Sequence, residues 1–155
     1  MNFHLLDNHD SIGWDFDGTL WNHERAEMMW DYIKATPHKR HYIVTFRSGW
    51  RGQIRWAEDG CWLDLKRCGS GLCDEHIVEI INMDDKVFDE HGARITPSGL
   101  YLDVSDFYRE WKGQVCLQNE ITVLIDDNPD HTQPGCVKYG ITYINPDELT
   151  GFERG

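Results

Sequence analysis

Positive charge is scarce in this sequence of 155 residues: 15 Lys and Arg stand against 27 Asp and Glu, a formal net charge of −12. Proteins that coat nucleic acid or an anionic membrane need a positive surface, so the balance argues against both classes. No apolar run of 18 residues occurs, which argues against a membrane span. The first residues show no cationic stretch followed by an apolar run, so nothing there indicates secretion.

Paired cysteines are not indicated either. The five cysteines are an odd number, and without an export signal we expect reduced thiols and a cytoplasmic protein. Hydrophobic residues make up 40% of the chain and include seven tryptophans, which is typical of a folded protein rather than a disordered one. The length fits one domain, residues 1–155, with a sizeable core.

Short apolar and aromatic runs alternate with segments of helical periodicity. The strand-like runs are SIGWDF (11–16), HYIVTF (41–46), HIVEIINM (76–83), EITVLIDD (120–127) and GITYIN (140–145). Helical spacing of apolar residues predicts helices over 24–37, 50–68 and 104–115, the first ended by Pro37 and the second weakened by Gly60. This alternation predicts an α/β fold in which helices sandwich a Rossmann-like parallel sheet.

Polar side chains follow three of the predicted strands. Asp15 and Asp17 end the first, Thr45 ends the second, and Asp126 and Asp127 end the fourth. Because ligands of open α/β sheets bind beyond the carboxyl ends of the strands, we expect these residues to share one crevice. Either acidic pair alone could instead form a turn or cap a helix. Both pairs and the threonine in this order favour a shared site.

Three motifs carry a resemblance to a known family. They are DFDGTL at 15–20, YIVTF with Thr45 near its end, and VLIDDNPD at 123–130. In this order and spacing they are similar to the first, second and fourth motifs of the haloacid dehalogenase superfamily of phosphohydrolases. The resemblance covers residues 11–130 and implies hydrolysis of a phosphate monoester.

The first motif contains the residues that this chemistry requires. A carboxylate can attack phosphorus and form an aspartyl phosphate that water then hydrolyses, and Asp15 is the candidate nucleophile. Asp17 is placed to protonate the leaving oxygen and later to deprotonate water. Gly18 allows a sharp turn toward a phosphate, and Thr19 would help to hold that turn. The resemblance implies that Thr45 donates a hydrogen bond to the phosphoryl group.

Clustered carboxylates repel each other unless a cation lies among them. Oxygen ligands favour a hard ion such as Mg²⁺. The resemblance implies three ligands: the Asp15 carboxylate, the backbone carbonyl of Asp17, and a carboxylate from the pair Asp126 and Asp127. We therefore expect Mg²⁺ as the cofactor.

Cationic residues near the motifs leave alternatives open. Arg47 could clamp the phosphate with two hydrogen bonds, or could be a solvated loop arginine. The family has a lysine that steadies the nucleophile, and Lys112, 14 residues before Asp126, is the preferred candidate for it. Lys86, which follows the third strand, is the alternative, and either lysine could lie on the surface.

Zinc is a further alternative for the cysteines. Cys61, Cys68, Cys73 and His76 lie within 16 residues and could supply four ligands. In one continuous helix, however, Cys61 and Cys68 would be about 10 Å apart along the axis, too far to share an ion. The zinc interpretation therefore needs Gly60 to break the helix.

The sequence also bears on the substrate. Little chain separates Leu20 from the first helix, and residues 84–103 are long enough for a hairpin lid but not for a cap domain, so we expect no large cap. The acidic charge favours a small phosphorylated substrate, such as a nucleotide, over a polynucleotide 3′ end, which the motifs also allow. The remaining alternative is a catalytically idle binding module. The oligomeric state stays open.

Overall fold

The computed structural model describes residues 3–48, 50–51, 54–55, 57–91, 94–95, 101–102 and 105–149. Its strands are β1 (Ser11–Trp14), β2 (Arg40–Ser48), β3 (Trp50–Arg51), β4 (Ile54–Arg55), β5 (Glu79–Met83), β6 (Arg94–Ile95), β7 (Tyr101–Leu102), β8 (Val123–Ile125) and β9 (Thr142–Ile144). Its α-helices are α1 (Ala26–Ala35), α2 (Glu58–Arg67), α3 (Asp85–His91), α4 (Asp106–Gln118) and α5 (Pro129–Tyr139). Short 3-10 helices lie at Phe3–Leu6 and Pro146–Glu148.

A five-stranded parallel sheet with the order β5-β2-β1-β8-β9 forms the centre of the fold. β1 is the middle strand: Trp14 lies opposite Ile43 of β2 on one side and Ile125 of β8 on the other. Parallel strands joined through helices give the α/β, Rossmann-like architecture that the sequence predicts. No helix in the described part of the chain is long and apolar enough to cross a membrane.

Helices cover both faces of the sheet. Successive residues of a strand point to opposite faces, so Val123 and Ile125 pack in one apolar cluster while Leu124 packs in the other. The first cluster contains the buried hydrophobic residues of α1 and α2, and the second contains those of α4 and α5. The result is a three-layer sandwich with the sheet in the middle.

The helix predicted over 50–68 is wrong in its first part. β3 and β4 pair antiparallel, with Trp50 opposite Arg55, and α2 begins only at Glu58. Gly52, which stands between the two short strands in the sequence, is a turn signal. The helical spacing of the apolar residues outweighed this signal in the prediction. Gly60 does not break α2, since it lies buried inside that helix.

The segment predicted as a hairpin lid, 84–103, contains more than a hairpin. It begins with α3, which the sequence analysis did not predict, and continues with the antiparallel pair β6 and β7, in which Arg94 lies opposite Leu102. Residues 92–93, 96–100 and 103–104 lie outside the described part of the chain.

A buried histidine joins β2 to α1 and to the central strand. Trp14 Nε1 donates to His41 Nδ1 at 3.0 Å, and a tryptophan nitrogen can only donate. The neutral ring therefore carries its proton on Nε2, which lies 2.9 Å from Thr36 Oγ1, and that hydroxyl donates to the carbonyl of Tyr32. Burial lowers the pKa of His41 to about 4.

α4 and α5 pack with their backbones in contact. A Cβ on Gly113 would lie 2.2 Å from the carbonyl oxygen of Gly135, and a Cβ on Gly135 would lie 2.7 Å from Cα of Glu110. Real Cβ atoms do not approach backbone this closely, so only glycine fits at either position. This contact fixes the distance of α4 from the loop that precedes α5.

Candidate active site

Three parallel strands bring polar residues to one edge of the sheet. Asp15 follows β1 directly, and its N–H donates to the carbonyl of Ile125 in β8. Asp126 follows β8, and Thr45 lies in β2 on the other side of β1. A cavity of about 280 Å³ opens here. Its lining residues are Asp15, Asp17, Thr45, Phe46, Tyr108, Lys112, Asp126, Asp127, Asn128 and His131.

Thr45 does not end its strand, contrary to the sequence prediction. β2 continues to Ser48, with an irregular register against β5 between Thr45 and Ser48. Such an irregularity re-aims side chains. Here it lets the N–H of Arg47 donate to Thr45 Oγ1 at 3.0 Å. A hydroxyl oxygen that accepts this bond still has its proton to donate.

Lys112 lies between two acidic side chains at the base of the cavity. Its Nζ donates to Asp15 Oδ1 at 2.6 Å and to Asp126 Oδ2 at 2.7 Å, and all three residues are buried. Lys86 lies exposed on α3 and does not line the cavity. Of the two candidate lysines, the fold therefore brings Lys112 to the acidic residues and leaves Lys86 on the surface.

Burial and like charges act together on the acidic residues. Burial raises the pKa of Asp15 well above its usual range, the carboxylate of Asp126 raises it further, and Lys112 opposes both. Burial also raises the pKa of Asp127. For Lys112, burial alone lowers the pKa, but the charges of Asp126 and Asp15 outweigh it and the net change is upward. Lys112 is therefore a fixed positive charge at neutral pH.

Three carboxylates form the cluster that could hold a cation within the described residues. Oxygens of Asp15, Asp126 and Asp127 lie within 4.8 Å of one another, and Asp127 is the exposed member. Lys112 offers one positive charge to these three acidic groups, so negative charge remains in excess when all are ionised. An all-oxygen donor set with an open side fits a hard divalent ion that retains waters, such as Mg²⁺.

The turn after Asp15 requires glycine for two reasons. Gly18 has φ of +80°, a region that L residues rarely adopt. A Cβ at this position would also lie 2.3 Å from Asp127 Oδ2. Thr19 is buried in the same turn and donates from Oγ1 to Asp15 Oδ2 at 3.3 Å. Gly18 thus lets the turn approach Asp127, and Thr19 holds the turn to Asp15.

Of the two alternatives for Arg47, the solvated loop arginine is wrong. Arg47 is buried, not solvated, and its two-bond clamp closes on Asp17: Nε lies 2.9 Å from Oδ2 and Nη2 lies 2.8 Å from Oδ1. Nη2 also donates to Asp64 Oδ2 at 2.9 Å. Contact of Arg47 with a phosphate stays a prediction.

The candidate zinc ligands do not form a cluster of three or more in the described part of the chain. Cys61 is fully buried on α2, whereas Cys68 is exposed beyond the end of that helix. Cys73 contacts His76, with Sγ 3.5 Å from Nδ1. The unbroken helix at Gly60 removes the condition on which the zinc interpretation depended.

Comparisons with known proteins give no functional assignment. No family model and no curated protein matches the sequence. Among solved structures, the chain is similar to an uncharacterized protein from Corynebacterium glutamicum ATCC 13032 Kitasato. The identity is 14%, the match covers 89% of this chain and 85% of that chain, and the TM-score is 0.47. Any functional conclusion therefore depends on the residues of the cavity.

Several residues of the site were not predicted from the sequence. Asn128 donates its N–H to Asp126 Oδ1 at 2.8 Å and caps α5 by accepting from the N–H of His131. Asn before Pro129 is a helix-start signal that could have revealed this cap. Tyr143 donates to the carbonyl of Asp126 at 2.6 Å. The contact between Tyr143 and Asp126 joins residues 17 positions apart and leaves no pattern in the local sequence.

Proposed function

We propose that the protein is a Mg²⁺-dependent phosphohydrolase that cleaves a phosphate monoester through an aspartyl phosphate on Asp15. The observation that carries the proposal is the position of Lys112, which lies within hydrogen-bond distance of both Asp15 and Asp126. A buried lysine between acidic residues, at the cavity where three strands converge, supports a nucleophilic carboxylate held in one orientation. The three sequence motifs support the same chemistry.

The first step forms a bond between an oxygen of Asp15 and phosphorus while the bond from phosphorus to the leaving oxygen breaks. Asp17 donates its proton to the leaving oxygen, which departs as an alcohol. In the second step Asp17 takes a proton from water, whose oxygen attacks the phosphorus and releases inorganic phosphate and the Asp15 carboxylate. Thr45 Oγ1 donates a hydrogen bond to a phosphoryl oxygen in both steps.

The carboxylates of Asp15 and of the pair Asp126 and Asp127, with the backbone carbonyl of Asp17, would hold Mg²⁺. Bound there, the ion supplies positive charge that lets an anionic carboxylate approach an anionic phosphate. Lys112 has the same electrostatic effect from the protein side, because its charge is fixed and it directs Asp15. Asn128 holds the second oxygen of Asp126, which keeps that carboxylate turned toward Lys112.

A small phosphate monoester, such as a nucleotide, is the proposed substrate class. The net charge of −12 disfavours a long polyanion as the bound molecule. The cavity of about 280 Å³ suits a phosphate with part of its leaving group, with the rest outside.

Hydrolysis of p-nitrophenyl phosphate with and without Mg²⁺ tests the proposal. We expect EDTA to abolish release of p-nitrophenolate and Mg²⁺ to restore it, while Asp15→Asn stays inactive with Mg²⁺ present. A panel of nucleotides, sugar phosphates and 3′-phosphorylated oligonucleotides then identifies the substrate class, and preference for the oligonucleotides would overturn the small-substrate assignment. Absence of Mg²⁺-dependent turnover on the whole panel would refute the enzyme and leave a binding module.

A further inference from the structure

Arg47 is held from several sides at the edge of the cavity. Its guanidinium carbon lies 4.6 Å from the centre of the Phe16 ring and 5.4 Å from that of Trp21. Its side chain is 3% exposed; Nε and Nη2 donate to the carboxylate of Asp17, and Nη2 also donates to that of Asp64. A planar guanidinium bound in this way is held in one orientation. A contact that holds the guanidinium of Arg47 therefore also restricts the carboxylate of Asp17.

Asp64 connects this arginine to the helical layer. It lies on α2 between Cys61 and Leu65, and both of those residues are fully buried in the core. Their packing fixes the face of α2 that carries Asp64, whose side chain is 21% exposed. Asp64 itself does not line the cavity that contains Asp15. Its contact with the candidate site is the hydrogen bond that it accepts from Arg47.

Asp17 is the group that most needs such support. Its side chain is 50% exposed, so packing alone does not restrict it to one rotamer. The two bonds from Arg47 restrict both of its oxygens. A group that transfers a proton must lie within hydrogen-bond reach of the reacting oxygen, and misplacement by about 1 Å can cost on the order of 10²-fold in rate.

We infer that Asp64 is a positioning residue: by holding Nη2 of Arg47, it keeps the Asp17 carboxyl group, protonated at the start of the first step, in place to protonate the leaving oxygen. This inference rests on the proposed function and deepens it. Asp64 does not touch the substrate. Its loss removes the contact that ties the guanidinium to α2, so Arg47 and Asp17 can shift together and the step that requires a proton on the leaving oxygen slows selectively.

Two substrates of similar shape separate this role from a general structural one. p-Nitrophenolate leaves without a proton, whereas the more basic phenolate of phenyl phosphate needs one. We expect Asp64→Ala to lower kcat/KM for phenyl phosphate at least about tenfold more than for p-nitrophenyl phosphate. Asp64→Asn, whose amide oxygen still accepts from Nη2, should show a smaller loss with the same selectivity. Asp59→Ala removes an exposed acidic residue from the same helix and should leave kcat/KM unchanged for both substrates.

The outcomes are distinct. Equal losses on both substrates, or no loss on either, would overturn the role of Asp64 while leaving the phosphohydrolase in place. Failure of the wild-type protein to hydrolyse either compound with Mg²⁺ would remove the proposed function and this inference together. Urea unfolding checks each variant, and if Asp64→Ala does not fold, Asp64→Asn decides: selective loss on phenyl phosphate supports the role, and unselective behaviour overturns it.

Discussion

Replacing Lys112 should destabilise the fold as well as slow the reaction. At an effective dielectric constant of about 20, two unit charges about 2.6 Å apart attract each other by roughly 6 kcal/mol, and Lys112 has two such partners in Asp15 and Asp126. Desolvation of the three groups offsets much of this attraction. Removing one partner from a buried ion pair typically costs about 3–5 kcal/mol, because the remaining charge stays buried. We expect that loss for Lys112→Ala at pH 8.

The pH dependence of this loss has a definite sign. Removal of Lys112 takes away the cation that opposes the upward shift in the pKa of Asp15, so that pKa rises further. An acid whose pKa is higher in the folded state than in the unfolded state stabilises the fold at low pH and loses that contribution as pH rises. The difference in unfolding free energy between wild type and variant should shrink toward pH 5, by up to about 1.4 kcal/mol per pH unit for one proton.

Urea unfolding at pH 5 and pH 8 in EDTA measures the effect, and repetition at one fixed Mg²⁺ concentration shows how far the ion replaces the lost charge. Lys112→Met retains most of the side-chain volume and separates lost charge from lost packing. Lys86→Ala, on an exposed position of α3, should change stability by no more than about 0.5 kcal/mol. In the phosphatase assay Lys112→Ala should lose roughly 10²- to 10³-fold in rate. A stable and active Lys112→Met protein would refute the reasoning, as would a crippled Lys86→Ala variant.

Asp15→Asn should fold normally by circular dichroism and lose turnover of p-nitrophenyl phosphate, because an amide does not replace the attacking carboxylate; activity near that of wild type would contradict the covalent route. Gly18→Ala should lower the free energy of unfolding in urea by about 1–2 kcal/mol, because alanine is strained at this positive φ. It should also weaken Mg²⁺ binding in calorimetry, because the added Cβ displaces Asp127. Unchanged affinity would count against Asp127 as a ligand. His41 binds a proton below about pH 6.5 in the unfolded chain, but in the folded protein only near its lowered pKa of about 4. The free energy of unfolding should therefore fall by about 3 kcal/mol as pH drops between these two values. An NMR titration of His41 with the midpoint of an ordinary histidine would refute this.

The central fold could be predicted because its strands are continuous apolar runs between clear helical stripes. Buried parallel strands require such runs, and Ile12, Val44 and Leu124 are buried accordingly. The error over 50–55 has a physical reason: apolar residues four apart suit a helix, but two-residue strands are too short to show a period of two. α3 and α5 carry few buried apolar residues among those described, so they lack the stripe that reveals α1.

The acidic residues of the candidate site could be predicted because strand order places the ends of β1 and β8 side by side. The sequence could not show which charged side chains form ion pairs with each other. Arg47 and Asp64 are 17 positions apart, and nothing in local composition distinguishes an arginine that binds a phosphate from one that holds Asp17. Such choices depend on the packing of α2 and on the irregularity in β2, which are properties of the assembled fold.

Because α4 and α5 touch backbone to backbone at Gly113 and Gly135, no layer of side chains lies between them at that point along which one helix could slide. Lys112 precedes Gly113, and α5 begins two residues after Asp127. The backbone contact between α4 and α5 therefore fixes the spacing of Lys112 from the acidic pair.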